Sequence, residues 1–277
     1  MEPGISEVSF QLFSKKIARM KKLILPAFAA ASLALASCGG GAPKEEKKDS
    51  VAIGSENKTA TEPQANVLTA EEQAAGWKLL FNGSNLDGWR IYKNKPSDFW
   101  GVVDGTLHCT GSPTDKSDMR GDLITNDQYE NFELETDWKL SPQGNSGILY
   151  LVTEEFDAPY KSGPEYQLID DENFPEKLED WQKSGANYAM NPPSKLAAKP
   201  IGEWNHTRIV VNKGHVEHWL NGEKVVDTQM WTPEWEKAKA TGKWKDYKGY
   251  GTAKKGHICV QDHGAEIWFK NMKIKSL

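Results

Sequence analysis

The sequence predicts an all-β protein, an antiparallel sandwich or jelly roll of two sheets with a few short helices. Three observations carry that expectation. No helical period persists over a long window in residues 77–277. Phe132, Leu134, Thr136, Trp138 and Leu140 alternate with Glu133, Glu135, Asp137 and Lys139, the pattern of a half-buried strand with a charged outer face. Short apolar runs are separated by turn dipeptides, above all Asp104-Gly105 and Asn221-Gly222, which favour tight hairpins.

Before the sandwich, the chain reads as an export signal and a tether. Lys21-Lys22 precede the apolar run that begins Leu23-Ile24-Leu25 and ends near Ala36, a run too short for a comfortable membrane span. Leu35-Ala36-Ser37-Cys38 matches a bacterial lipobox, so residues 1–38 are expected to be a lipoprotein signal peptide with Cys38 lipidated. Met20 is then the better start, and residues 1–19 an extension of the reading frame. Gly39 after the Cys favours the outer membrane. The expected location is the periplasm or outer-membrane surface of a Gram-negative bacterium, with the membrane engaged only through the lipid. Residues 39–75 are polar enough to be a disordered tether ending in a short helix, with Thr69 and Glu72 at capping-box spacing and Gly76 as the stop.

Residues 76–277 are expected to form a single β-sandwich catalytic domain. Residues 100–109 read as a hairpin, 132–140 as a half-buried strand, and 147–152, nearly all apolar, as a central strand. Residues 209–212 and 216–220 are strands, the second turning at Asn221-Gly222 into Val225-Val226. Leu178 and Trp181 suggest a short helix over 176–184; Thr232 followed by Pro233 opens another that Gly242 closes. Residues 185–203 and 242–256 are long Pro-, Gly- and Lys-rich loops, the kind that often rim a functional site. The Lys-rich stretch 237–255 is otherwise read as solvated. At the C-terminus Ile258 and Val260 point to a core, while Cys259, Gln261 and His263 share the other face. The apolar phase resumed by Ile267 and Phe269 breaks near Asn271, where a bulge is expected.

Composition narrows the function. Residues 1–37 carry a formal +3 and the remainder about −8, which argues against nucleic acid as a partner. Eleven tryptophans fill a sandwich core and leave two or three to line a sugar site. With Cys38 assigned to lipid, Cys109 and Cys259 are expected to be separate buried thiols. No CxxC or HExxH occurs, so a built-in zinc site is not indicated. A divalent metal remains compatible with the His and acidic residues present, as does a proton relay. Nothing in the sequence fixes an oligomeric state.

Four stretches concentrate polar chemistry. Glu165 and Gln167 share one face of a strand, with Tyr166 and Leu168 on the other. Gly144-Asn145-Ser146-Gly147 is a polar turn entering the central strand, His218 lies just before a hairpin turn, and Gln261-Asp262-His263-Gly264 ends the C-terminal stretch. Together with Leu80-Phe81-Asn82-Gly83, Leu86-Asp87-Gly88-Trp89, Gly163-Pro164-Glu165-Tyr166-Gln167-Leu168-Ile169-Asp170, Glu217-His218-Trp219-Leu220-Asn221-Gly222 and Trp268-Phe269-Lys270-Asn271, these resemble the 3-keto-disaccharide hydrolase family. The resemblance spans about residues 76–277. It implies a concanavalin-like sandwich with a site on its concave face and 3-keto-glycoside substrates, cleaved by a 1,2-lyase step and hydration of the resulting 3-keto-glucal. Many relatives carry Arg or His shortly after the Asn-Ser-Gly-Ile turn, where this chain has Leu149, Tyr150 and Leu151.

A ketone at C3 makes the C2 proton acidic. The chemistry therefore needs a base, donors for the enolate and an acid for the leaving group. On the resemblance, Glu165 or His218 is the base, and His263 is the acid and later activates water. Gln167, Asn221 and Gln261 orient hydroxyls or the ketone. Asn145 and Tyr150 complete the substrate contacts. Asp262 is read first as fixing a His or a turn and second as a contact. Trp268 is a stacking candidate that as readily packs. His108, His206, His215 and His257 carry no motif. Two other readings stand beside this one. A retaining glycosidase needs carboxyls about 5–5.5 Å apart, and the spacing Glu165-x-Gln167-x-x-Asp170 supplies its second acid at the wrong parity. A non-catalytic glycan-binding lipoprotein would have no use for paired His and Glu on one face.

Overall fold

The computed structural model describes residues 64–111 and 119–277; the signal peptide, Cys38 and most of the tether lie outside the described residues. A capped turn of helix, α1 (Ala70–Ala74), opens the domain. The Thr69 side chain accepts from the Glu72 amide while Glu72 reaches back to the Thr69 amide. Thirteen strands follow: β1 (Lys78–Leu79), β2 (Trp89–Ile91), β3 (Trp100–Val103), β4 (Thr106–Cys109), β5 (Leu123–Thr125), β6 (Phe132–Leu140), β7 (Asn145–Val152), β8 (Glu165–Ile169), β9 (Asn205–Asn212), β10 (His215–Leu220), β11 (Glu223–Gln229), β12 (His257–Val260) and β13 (Ile267–Ser276). Between β11 and β12 lies α2 (Pro233–Thr241), with Thr232 capping the Trp235 amide and Gly242 ending it.

The strands form two antiparallel sheets. One runs β11-β10-β9-β6-β13-β4-β3, with β1 also on β13; the other runs β2-β5-β12-β7-β8. This is the jelly-roll-type, concanavalin-like sandwich expected. β6 is buried and half-buried at alternate residues along its whole length, so Phe132, Leu134, Trp138 and Leu140 meet Ile258, Val260 and Ile148 of the opposite sheet in the core. Asp104 with Gly105 and Asn221 with Gly222 adopt positive φ, as two-residue hairpin turns of this hand require. β13 shifts register between Lys270 and Lys273, with Asn271 at φ 54°. The bulge is stapled by reciprocal bonds between Asn66 and Asn271 and by Asn271 Nδ2 donating to Asp137 at 2.7 Å. One half of β13 thus pairs with β4 and the other with β1.

One expected element contracts. Residues 176–184 form only a single 3-10 turn, Asp180–Gln182, before Lys183 returns to extended geometry. The Ser184 hydroxyl donates to the Ile169 carbonyl and its amide to Asp171, which draws the chain onto β8 before a second helical turn can form. Cys109 and Cys259 are both buried free thiols, one in the inter-sheet core and one beneath the outer face of the smaller sheet.

Candidate active site

The outer face of the five-stranded sheet carries the site. Strand parity sends Tyr166 and Leu168 of β8 into the core and leaves Glu165 and Gln167 on the outer side. β7 brings Asn145 beside Gln167, whose side-chain amide donates to Asn145 Oδ1 at 2.8 Å. The chain beyond β12 adds Gln261, Asp262 and His263, anchored by the Gln261 amide on the Gly147 carbonyl and by the Ser146 hydroxyl on the Gln261 carbonyl. These residues meet in a cleft of about 430 Å³, a size common for small-ligand sites.

Gly147 shows why the polar turn enters β7 as it does. A Cβ there would stand 2.2 Å from Glu165 Oε1. The missing side chain is therefore what lets the Glu165 carboxyl lie flat across the neighbouring strand. That carboxyl is buried, and burial pushes its pKa up to about 8, with Asp122 raising it further and Lys243 pulling it down. Asp122, just ahead of β5, is likewise raised to about 7 by burial, although it accepts the Asp262 amide at 2.9 Å. His263 stands at the rim; desolvation and the Arg120 guanidinium hold its imidazole below the ordinary value. Arg120 packs against the bend at Gly264 (φ 90°), where a Cβ would come within 2.4 Å of its Nη2. Asp262 holds that bend by accepting the Gly264 amide at 3.0 Å.

Aromatic residues wall the cleft. Tyr160, Tyr188, Trp244 and Tyr247 line it, joined edge to face at centroid separations of 5.6–6.3 Å. Residues 185–191 lie along β8 like an extra edge, with Gln167 and Tyr188 amides donating to Ala186 and Glu165 carbonyls. That strap delivers Tyr188. Lys243, from the segment after α2, lies over the Tyr188 ring and donates to its hydroxyl at 2.8 Å. The lysine-rich stretch read as solvated therefore supplies one cation of the cleft.

The cleft brings together Asn145, Glu165, Gln167, Gln261, Asp262 and His263. It does not include His218, Tyr150, Asn221 or Trp268. His218 lies in the inter-sheet core, where Nδ1 donates to the Gly185 carbonyl (3.0 Å) and Nε2 accepts the Tyr150 hydroxyl (3.1 Å). Burial lowers its pKa to about 4, so it is a neutral structural group. Its parity partners Val216 and Leu220 are both core residues, which was the signal available in the sequence. Tyr150 shares that buried side of β7 with Ile148. Asn221 spends its side chain on the hairpin, accepting the His206 amide and donating to Ala197 and Asn205. Trp268 stacks on His108 on the outer face of the other sheet. Of Leu149, Tyr150 and Leu151, which stand where many relatives carry a basic residue, Leu149 packs with Ile124 and Cys259 under Tyr160. Asp170 accepts backbone amides from Gln143, Glu172 and Asn173 and is not a cleft residue. Sequence reading passed over Arg120, Asp122, Tyr160, Tyr188 and Lys243, which come from loops that no period marks; only the two long loops were flagged.

Among the described residues, His215, Glu217 and Asp227 bring possible metal-ligand atoms within 4.8 Å of one another. They lie outside the cleft, and Lys224 Nζ bonds both carboxylates.

Fold and site together define a β-sandwich protein with an acid, amide and aromatic cleft on the outer face of its smaller sheet, an arrangement suited to a sugar ligand. The chain belongs to the family of the 3-keto-alpha-glucoside-1,2-lyase-like domain, whose profile matches residues 76–275. It is 34% identical over 289 residues to the 3-keto-disaccharide hydrolase of Bacteroides thetaiotaomicron, covering 93% of this chain and all of that one. Two crystal structures from Parabacteroides distasonis, provisionally described as glycosyl hydrolases, are also similar. The first is 44% identical, with a TM-score of 0.72, covering 77% of this chain and 100% of that one. The second is 31% identical, with a TM-score of 0.57, covering 73% and 99%.

Proposed function

We propose that this protein hydrolyses glycosides whose sugar carries a ketone at C3, by elimination across C1–C2 followed by hydration. The observation that carries the reading is Glu165, a carboxyl desolvated over Gly147 in the same cleft as Asp122 and Lys243. A carboxylate without water is a stronger base, and a proton α to a ketone is the kind of weak acid that needs one. Glu165 removes the C2 proton. Lys243 offsets the charge that develops on the ketone oxygen. The C1–O bond breaks, and the departing oxygen takes a proton from Asp122, which is balanced near neutrality. Water then adds, oxygen to C1 and hydrogen to C2, with Asp122 and the neutral imidazole of His263 on its path. Asn145, Gln167 and Gln261 orient hydroxyls; the buried Gln261 Oε1 has no partner among the described residues and can accept one. The named relatives support carbohydrate hydrolysis as the overall outcome. Anchorage through lipidated Cys38 belongs to the same proposal.

The test uses the full-length protein with a 4-nitrophenyl 3-keto-glucoside and with its unoxidised parent. Release from the ketone alone, slowed when C2 carries deuterium, is expected. Cleavage of the parent at a similar rate, or no isotope effect in single turnovers, would overturn the elimination route.

A further inference from the structure

We propose a second carbohydrate site, for acidic saccharides, on the outer face of the eight-stranded sheet, built by Trp204, Trp268, Lys139 and Lys270. These four side chains line a cavity of about 330 Å³ beside the Asp104-Gly105 hairpin turn. Parity puts Lys139 of β6 and Trp268 and Lys270 of β13 on the outer face, since Trp138, Ile267 and Phe269 are core residues. Trp204 enters just ahead of β9.

One feature sets this cavity apart from most of its face. Lys78 of β1 aside, the cations on the other strands are paired: Arg208 and Lys275 with Glu133, Lys273 with Glu72 and Glu135, Lys224 with Glu217 and Asp227. Among the described residues, Lys139 and Lys270 have neither an ion pair within 4.0 Å nor a side-chain hydrogen bond, although Lys270 stands opposite Asp137 on β6 and its charge helps hold that carboxyl down. Like the paired cations of this face, their ammonium groups lie over tryptophans. Lys139 lies 4.4 Å from the Trp268 ring centroid and 5.3 Å from that of Trp204, and Lys270 lies 4.3 Å from Trp204. His108 stacks on Trp268 at 5.0 Å and is itself tied to Glu266, which fixes the ring plane.

His108 and Lys139 cover the ring of Trp268, and Lys270 lies over that of Trp204, so a sugar meets the indole edges, whose N–H groups both lack a protein acceptor among the described residues. Two pre-positioned ammonium groups with free donors match a carboxylate or sulfate on that sugar. Asp104 also lines the cavity, and the two ammonium groups outweigh it; a neutral glycan would leave both lysines idle, so charge complementarity selects the acidic saccharide. The cavity is on the opposite sheet from the cleft, and its occupancy does not depend on the proposed reaction.

Titration calorimetry of the full-length protein with tetragalacturonate, with a sulfated chondroitin tetrasaccharide and with neutral maltotetraose tests this. Binding of at least one acidic ligand, at least tenfold tighter than maltotetraose and weakened by 0.5 M salt, is expected. The Lys139→Gln/Lys270→Gln double variant should lose at least tenfold in that affinity, and Lys139→Arg/Lys270→Arg should restore most of it. Cleavage of a 3-keto-glucoside should be unchanged in both, which also reports that they fold. No binding at millimolar ligand, equal binding of neutral and acidic ligands, or binding indifferent to the double variant would overturn the site.

Discussion

On the outer face of the eight-stranded sheet every carboxylate of β6 has a cation or imidazole against it. Glu133 meets Arg208 and Lys275, Glu135 meets Lys273, and Asp137 meets His206. Burial alone would raise Glu133 and Asp137, but the hydrogen bonds from those partners overcome it and leave both below the usual carboxylate range. Beyond the cleft the five-stranded sheet does the same, with Arg90 holding Glu154 down, but within the cleft burial prevails. Glu165 rises to about 8 and Asp122 to about 7. Alternation places Glu133, Asp137 and Glu165 outside the core, and Asp122 joins them from just ahead of β5. What differs is the covering: cross-strand cations in register on one face, and on the other an aromatic-rimmed cleft whose cations, Lys243 and Arg120, offset the acids only in part.

The sharpest way to break this contrast is to exchange acid for amide on each face. Glu165→Gln is expected to lower kcat on a 3-keto-glucoside by roughly 10²–10⁴-fold, the usual worth of a positioned general base. Glu133→Gln should change it less than about twofold, and comparable losses from both would erase the distinction. Next comes pH. The proposed elimination needs Glu165 ionised and Asp122 protonated, so kcat should peak between about pH 7 and 8 and fall on both sides. The two limbs belong to the coupled pair. Asp122→Asn should leave a residual rate without the alkaline limb; retention of that limb would remove Asp122 from the role. Gly147→Ala, which drives a methyl into the Glu165 carboxyl, should cost on the order of tenfold in kcat, with a stability loss of about 1–3 kcal/mol.

Stability sharpens the comparison further. A carboxyl raised from 4.5 to about 8 binds its proton more tightly folded than unfolded, so it weakens the fold progressively as pH climbs through that window. Glu165→Gln should therefore stabilise by up to roughly 3–5 kcal/mol at pH 9 and hardly at all at pH 4, read from urea melts. Glu133 has the opposite sign: its contribution is present above the unfolded carboxylate value and is lost as pH falls through the depressed one. Because its partners are partly exposed, Lys275→Met should cost less than about 1 kcal/mol.

His218 illustrates what parity can tell when it is applied evenly. Its neighbours at i−2 and i+2, Val216 and Leu220, are apolar, and the strand buries all three. A motif drew it toward the site although its own alternation pointed to the core. For Glu165 and Gln167 alternation and motif agree, and both residues lie in the cleft. Asp122 had no alternation to betray it, since it precedes a three-residue strand and matters only because Asp262 crosses it from the far end of the chain.

By itself the sequence determined the strand alternation, the two hairpin turns, the bulge near Asn271 and the helix caps, because each follows from backbone geometry over a few residues. It also carried the family, through motifs spread along the whole domain. Which polar residues share a cleft was decided only by tertiary structure. Sheet order sets β5, β12, β7 and β8 side by side, although β5 and β12 are far apart in the chain. Loop packing then withholds water from Glu165 and leaves Asp122 half-buried beside it, and a carboxyl's proton affinity depends on that surrounding far more than on its neighbours in sequence.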